Sequence, residues 1–148
     1  AELRMQAGDP RGAFEALREA EQHFPEAAPM LRPRQAEALL AAVAREPPIA
    51  AVALFDAHAA LLPPGDQADA ALVALADRLA ALDLTDRARR VLGQAIARAE
   101  HGESRARLGL AQAKLALGAN DPAGARAVLA DTEAPGLPDA LRAERLLQ

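Results

Sequence analysis

Asp86-Arg87-Ala88-Arg89-Arg90-Val91-Leu92-Gly93-Gln94-Ala95 is the stretch on which the fold turns. Ala88, Leu92 and Ala95 fall at i, i+4 and i+7, one face of a helix, with arginines on the other. The same pairing of an alanine with a large residue four positions later stands at Ala13/Leu17, Ala51/Phe55 and Ala125/Leu129. The alanines are therefore 38, 37 and 37 residues apart. A recurrence of that length in helix-forming residues marks an all-α helical solenoid, in which stacked units bury a core that no single hairpin makes.

Composition points the same way. Of the 148 residues 51% are hydrophobic, mostly Ala and Leu, with three Phe and no Trp or Tyr. Ala and Leu favour helix, and Val and Ile, the strand formers, are sparse. The net charge of −4 is mild and both signs are interspersed, which argues against a nucleic-acid surface, as does the lack of Trp and Tyr to stack on bases. Arg87, Arg89 and Arg90 form a short basic run that reads as a solvated helix face balanced by Asp83 and Asp86. Without cysteine there are no disulfides, thiolate metal sites or cysteine nucleophiles.

No apolar run reaches the roughly 18 residues of a membrane span, and no signal peptide is visible. This segment is therefore expected not to insert into a membrane, and both a cytoplasmic and a periplasmic setting stay open. Ala1 opens the sequence without an initiator methionine and inside a helical pattern, which reads as a piece of a longer protein.

Breakers divide the chain into about nine predicted helices within one repeat domain over residues 1–148. The units are approximately 1–25, 33–63, 67–101 and 105–134, with a final helix from 138. Residues 1–7 read as a helix end closed by Gly8. Asp9-Pro10 and Asp121-Pro122 each supply a capping oxygen and a proline suited to a first helical turn. Pro29 reads as loop and Pro33 as the first turn of the next helix, and the helix opened by Pro48 is expected to reach Leu62. Asp66, Thr85 and Ser104 read as N-caps, and Gly102 and Gly118 as helix ends.

The recurring pattern resembles the tetratricopeptide repeat, in which helix A carries a large residue beside a small one and helix B carries small, large, small. Leu75-Ala76 and Leu110-Ala111 match the helix A pair. Ala13, Leu17 and Ala20 match the helix B trio, as do Ala88, Leu92 and Ala95. Gly8, Asp83 and Gly118 occupy the turn between the helices. Pro25 and Pro63 both fall 12 residues after their repeat alanine, where the family places a closing proline. The period exceeds the family's, which is about 34 residues. Residues 35–43 fit the helix A pair poorly, and two extra residues stand between Gly118 and Ala125. The chain is also similar to segments of large bacterial repeat proteins, a likeness that implies no activity.

This resemblance implies a right-handed α-α superhelix whose inner wall, made of helices A, holds peptides. On that wall it places Asp77, Arg105 and Gln112, among Val73, Leu108 and Leu115. The lysine-and-asparagine clamp of some family members is not matched by Lys114 and Asn120, so a receptor for chaperone C-terminal tails is not expected.

No catalytic residue, metal ligand or cofactor site is expected. His23, His58 and His101 lie in different units without metal-ligand spacing. His58 takes a position where helix B wants a small residue, so partial burial is its expected state. His101-Gly102-Glu103-Ser104 holds acid-base residue types, but capping accounts for Gly102 and Ser104. Gly12-Ala13 and Gly124-Ala125 imitate a phosphate loop without the preceding strand or following lysine. Asp66/Asp69 and Asp83/Asp86 read as first-turn partners of the helix dipole. Gly93 and Gly109 lie inside predicted helices, where close helix crossings are the expected compensation for their low propensity.

The function expected is a non-enzymatic scaffold that binds a protein or peptide partner, or its own flanking domains. Self-association into a homo-oligomer through apolar terminal edges such as Leu141, Leu146 and Leu147 is the first alternative. A helical enzyme or ligand-binding domain with a site of scattered residues is the second.

Overall fold

A computed structural model describes residues 8–147, in which every regular element is helical and no strand occurs. The chain divides into two compact units, residues 1–63 and 64–148. Eight α-helices stand among the described residues, one fewer than expected. The remaining one, predicted over residues 1–7, lies outside the described residues.

The first unit holds α1 (Pro10–His23), α2 (Ala28–Arg45) and α3 (Pro48–His58). Asp9 caps α1 as expected, its carboxylate accepting from the Gly12 N–H at 2.8 Å. The interior is made by Ala13, Phe14 and Leu17 of α1, Leu39, Ala42 and Val43 of α2, and Ala51, Val52 and Phe55 of α3. Gln35 ties α2 to α1 from within this interior. Its Nε2 donates to the Leu17 carbonyl at 3.2 Å and to the Glu21 carboxylate at 2.7 Å, leaving Oε1 without a partner among the described residues.

The prolines correct the expected boundaries. Pro25–Ala27 forms a 3-10 turn and α2 starts at Ala28, so Pro29 lies in its first turn and Pro33 inside it. Pro29 gives up an N–H that would be unpaired in any case, whereas Pro33 removes one intrahelical bond close to the helix start. Burial of Gln35, Ala38, Leu39 and Ala42 along one face holds the helix through that defect. After His58 the helix tightens into a second 3-10 turn, Ala59–Leu61, instead of running on to Leu62.

The second unit holds α4 (Asp66–Ala80), α5 (Thr85–Arg98), α6 (Gly102–Gly118), α7 (Pro122–Asp131) and α8 (Asp139–Leu146). Asp83, at φ 59°, closes α4: its N–H reaches Ala80 O at 2.9 Å and the Leu84 N–H reaches Leu79 O at 3.0 Å. Asn120, at φ 58°, repeats this at the end of α6, with Asn120 N–H to Leu117 O at 2.9 Å and Asp121 N–H to Ala116 O at 2.8 Å. Asn and Asp tolerate the left-handed region because their short polar side chains bond locally. Gly118 is thus the last helical residue, and Asn120 takes the turn position assigned to it.

That shift removes the two extra residues of the fourth unit. Asn120 stands five residues before Ala125, as Asp83 does before Ala88 and Gly8, at φ 79°, before Ala13. Four expected helix-end residues also move. Asp66 and Thr85 are first helical residues following Gly65 and Leu84, and neither helix has a side-chain cap. Gly102 opens α6 instead of closing α5, and Ser104 lies in the first turn of α6.

All four repeat alanines are sealed: Ala13, Ala51 and Ala88 are 0% exposed and Ala125 is 1% exposed. Gly109 extends the small-residue packing, since a Cβ there would overlap the Thr132 side chain. Gly93 does not, because the space beside it is open.

Arg145 fastens α8. Its guanidinium is buried and donates to the carbonyls of Ala106 and Leu129, the latter at 2.6 Å, and to Thr132 Oγ1 at 3.3 Å. Burial lowers its pKa, partly offset by the Glu133 charge. Leu129 lies in the last turn of α7, where orphan carbonyls and the negative dipole end favour a cation.

Candidate functional groove

The second unit carries a groove of about 580 Å³ walled by α4, α6 and α8. On α4 the wall runs through Ala70, Val73, Ala74 and Asp77, the one-turn spacing that puts residues on a single helix face. Arg107, Ala111 and Lys114 form the facing stripe on α6, and Leu141 and Glu144 come from α8. Val73, Ala111 and Leu141, each half-buried, give the groove its apolar surface, with Leu108 and Leu110 buried beneath it.

Polar contacts fix how the two main walls align. Arg107 Nη1 meets Asp66 at 3.1 Å, and the Ser104 hydroxyl donates to Asp69. Both pairs join first turns or their edges, so α4 and α6 begin at the same end of the groove. Arg107 also meets Glu103 at 2.6 Å, and Lys114 meets Glu144 at 2.5 Å. The Glu103 and Asp66 carboxylates raise the Arg107 pKa further above its ordinary value. Among the described residues no side chain pairs with the Asp77 carboxylate.

Of the three residues placed on one wall by the resemblance, the structure brings only Asp77 to this groove. Arg105 turns away, its Nη1 reaching the Ile96 carbonyl at 3.3 Å and its Nη2 standing 3.7 Å from Asp131. Gln112 does not line the groove either. At about 100° per residue, Arg105 and Gln112 lie roughly 140–160° around α6 from Arg107. The stripe of Arg107, Ala111 and Lys114 was readable from its i, i+4, i+7 spacing.

The other candidates resolve into structure. The Gly12 and Gly124 N–H groups each donate to their own capping aspartate at 2.8 Å. A smaller groove of about 350 Å³ brings Ser104 together with His101 and Glu103, but the Ser104 hydroxyl is turned to Asp69. His58 is half-buried as expected. Its ring packs edge-on to Phe14 with centroids 5.0 Å apart, and its Nδ1 accepts from Arg18 at 2.7 Å. Burial, then the Arg18 charge, lowers its pKa below the ordinary 6.5. Among the described residues no three His, Asp or Glu side chains cluster to hold a metal ion, and no helix is long and apolar enough to cross a membrane.

Compared with family models, with curated proteins and with solved structures, the chain matches none.

Proposed function

We propose that this chain is a non-enzymatic interaction module of tetratricopeptide-like helical hairpins, stacked as a superhelix, whose groove between α4 and α6 holds a segment of a partner protein or of a flanking domain. The observation that carries this reading is a groove with an apolar floor between two helices that begin at the same end. In a stack of hairpins those two are successive helices A. The sealed alanines of every unit support the stacking, because a small residue at a helix crossing lets the axes approach. The polar groups of the groove pair off along its length instead of converging on one point, as a docking surface does and a reaction centre does not.

Selection of random peptides of about nine residues, long enough to overrun the groove in extended form, tests this reading. Peptides enriched on the intact chain are expected to lose binding on Val73→Arg, which fills the floor. Enrichment that is indifferent to Val73→Arg, or none at all, would contradict it.

A second reading, self-association, is favoured by Leu146 and Leu147, which are 81% and 84% exposed. Light scattering over the micromolar range tests it: a dimer abolished by Leu146→Glu supports self-association, and a strict monomer removes it.

A further inference from the structure

The charges of the groove specify its guest further, provided that the docking reading above holds. Four carboxylates line it, Asp66, Asp69, Asp77 and Glu144, against two cations, Arg107 and Lys114. Both cations are already engaged, Arg107 with Asp66 at 3.1 Å and Lys114 with Glu144 at 2.5 Å. Asp69 takes the Ser104 hydroxyl. An acidic guest would have to break one of these ion pairs and would face the remaining carboxylates. A basic guest breaks nothing and meets Asp77.

We propose that the groove takes an extended protein segment in which an apolar side chain, seated on Val73 and Ala111, stands two positions from a lysine or arginine that pairs with Asp77. The spacing follows from the wall. Val73 and Asp77 are about one helical turn apart, about 6 Å along α4. Alternate side chains of an extended segment project to the same side about 6.5 Å apart. The wall from Asp66 to Asp77 is about 16 Å long, room for roughly five extended residues. Apolar burial supplies the attraction, and the charge sets which segments are accepted.

The composition of the selected peptides and their response to Asp77 variants test this. Selected sequences are expected to show lysine or arginine two positions from Leu, Ile, Val or Met. Asp77→Asn is expected to weaken them about fivefold, the upper range for an exposed pair, and Asp77→Lys to weaken them more. Raising the salt concentration should weaken them on the intact chain and not on Asp77→Asn. Both variants change an exposed side chain, and an unchanged urea unfolding midpoint verifies that they fold. Peptides that need Val73 but are acidic or uncharged, or that bind Asp77→Asn as tightly as the intact chain, would overturn the charge assignment and leave the docking reading standing. Peptides indifferent to both Val73→Arg and Asp77→Asn would overturn both.

Discussion

Two ways of filling a helical interior stand side by side in this chain. Residues 1–63 hold every phenylalanine, and two of the three, Phe14 and Phe55, are fully buried among α1, α2 and α3. Residues 64–148 have no aromatic side chain and rely on Leu, Val, Ile and Ala, with Gly109 pressed against Thr132. The polar ties differ as well. A neutral amide, Gln35, joins α1 to α2, whereas a buried guanidinium, Arg145, holds α8 by two carbonyls and a hydroxyl. Bulk fills space that would otherwise stay open between helices, while small residues let helices approach and leave the apolar surface to be used elsewhere. The groove belongs to the second kind.

The comparison breaks first at Phe55. Phe55→Ala is expected to cost about 3–5 kcal/mol in urea unfolding, through lost burial and the cavity left behind. Leu92→Ala, at the equivalent repeat position, should cost about 2–4 kcal/mol, less because fewer atoms are removed. The reverse order would mean that the aromatic unit is not filled by bulk. Gly109→Ala is expected to cost about 1–3 kcal/mol, because the added methyl overlaps Thr132 and the helices must part. Gly93→Ala, in open space on a helix of the same unit, should instead stabilise by up to about 1 kcal/mol. Equal effects of the two would show that α6 and α7 do not approach as closely as described.

The smallest effect is on pH. His58 has a pKa below its ordinary 6.5, first from burial and then from Arg18. The unfolded chain therefore binds this proton more readily than the folded one. The stability that neutral His58 contributes is complete above pH 6.5 and is lost as pH falls towards the folded pKa. His58→Gln should flatten the pH dependence of the urea midpoint in this window. Glu21, whose pKa is lowered below 4.5 by its hydrogen bond from Gln35, acts only at lower pH.

Helix content was legible in the sequence because it rests on local chemistry and periodicity. Asp9-Pro10 and Asp121-Pro122 read correctly as caps because the aspartate, the proline and the glycine two residues on make a self-contained motif. Two helix-end positions were not legible. Asn120 takes the left-handed position in place of Gly118, and Ser104 faces Asp69, 35 residues away, instead of its own helix start. Pro33 stays inside α2 because one face of that helix is buried, an effect of tertiary packing on a residue whose local preference is to end or begin a helix. The groove was half legible. The resemblance points to Asp77, which does line the groove, but not to Arg107 or to the Lys114–Glu144 pair, because those contacts join residues far apart in sequence.

The proposed stacking of hairpins requires the four sealed alanines to sit at helix crossings that accept only a small residue. The direct measurement is urea unfolding of four single variants, Ala13→Leu, Ala51→Leu, Ala88→Leu and Ala125→Leu, beside the exposed helical controls Ala53→Leu and Ala97→Leu. Each seam variant is expected to lose about 1–3 kcal/mol from overpacking, and each control to stay within about 0.5 kcal/mol. Seam variants as stable as the controls would contradict the account.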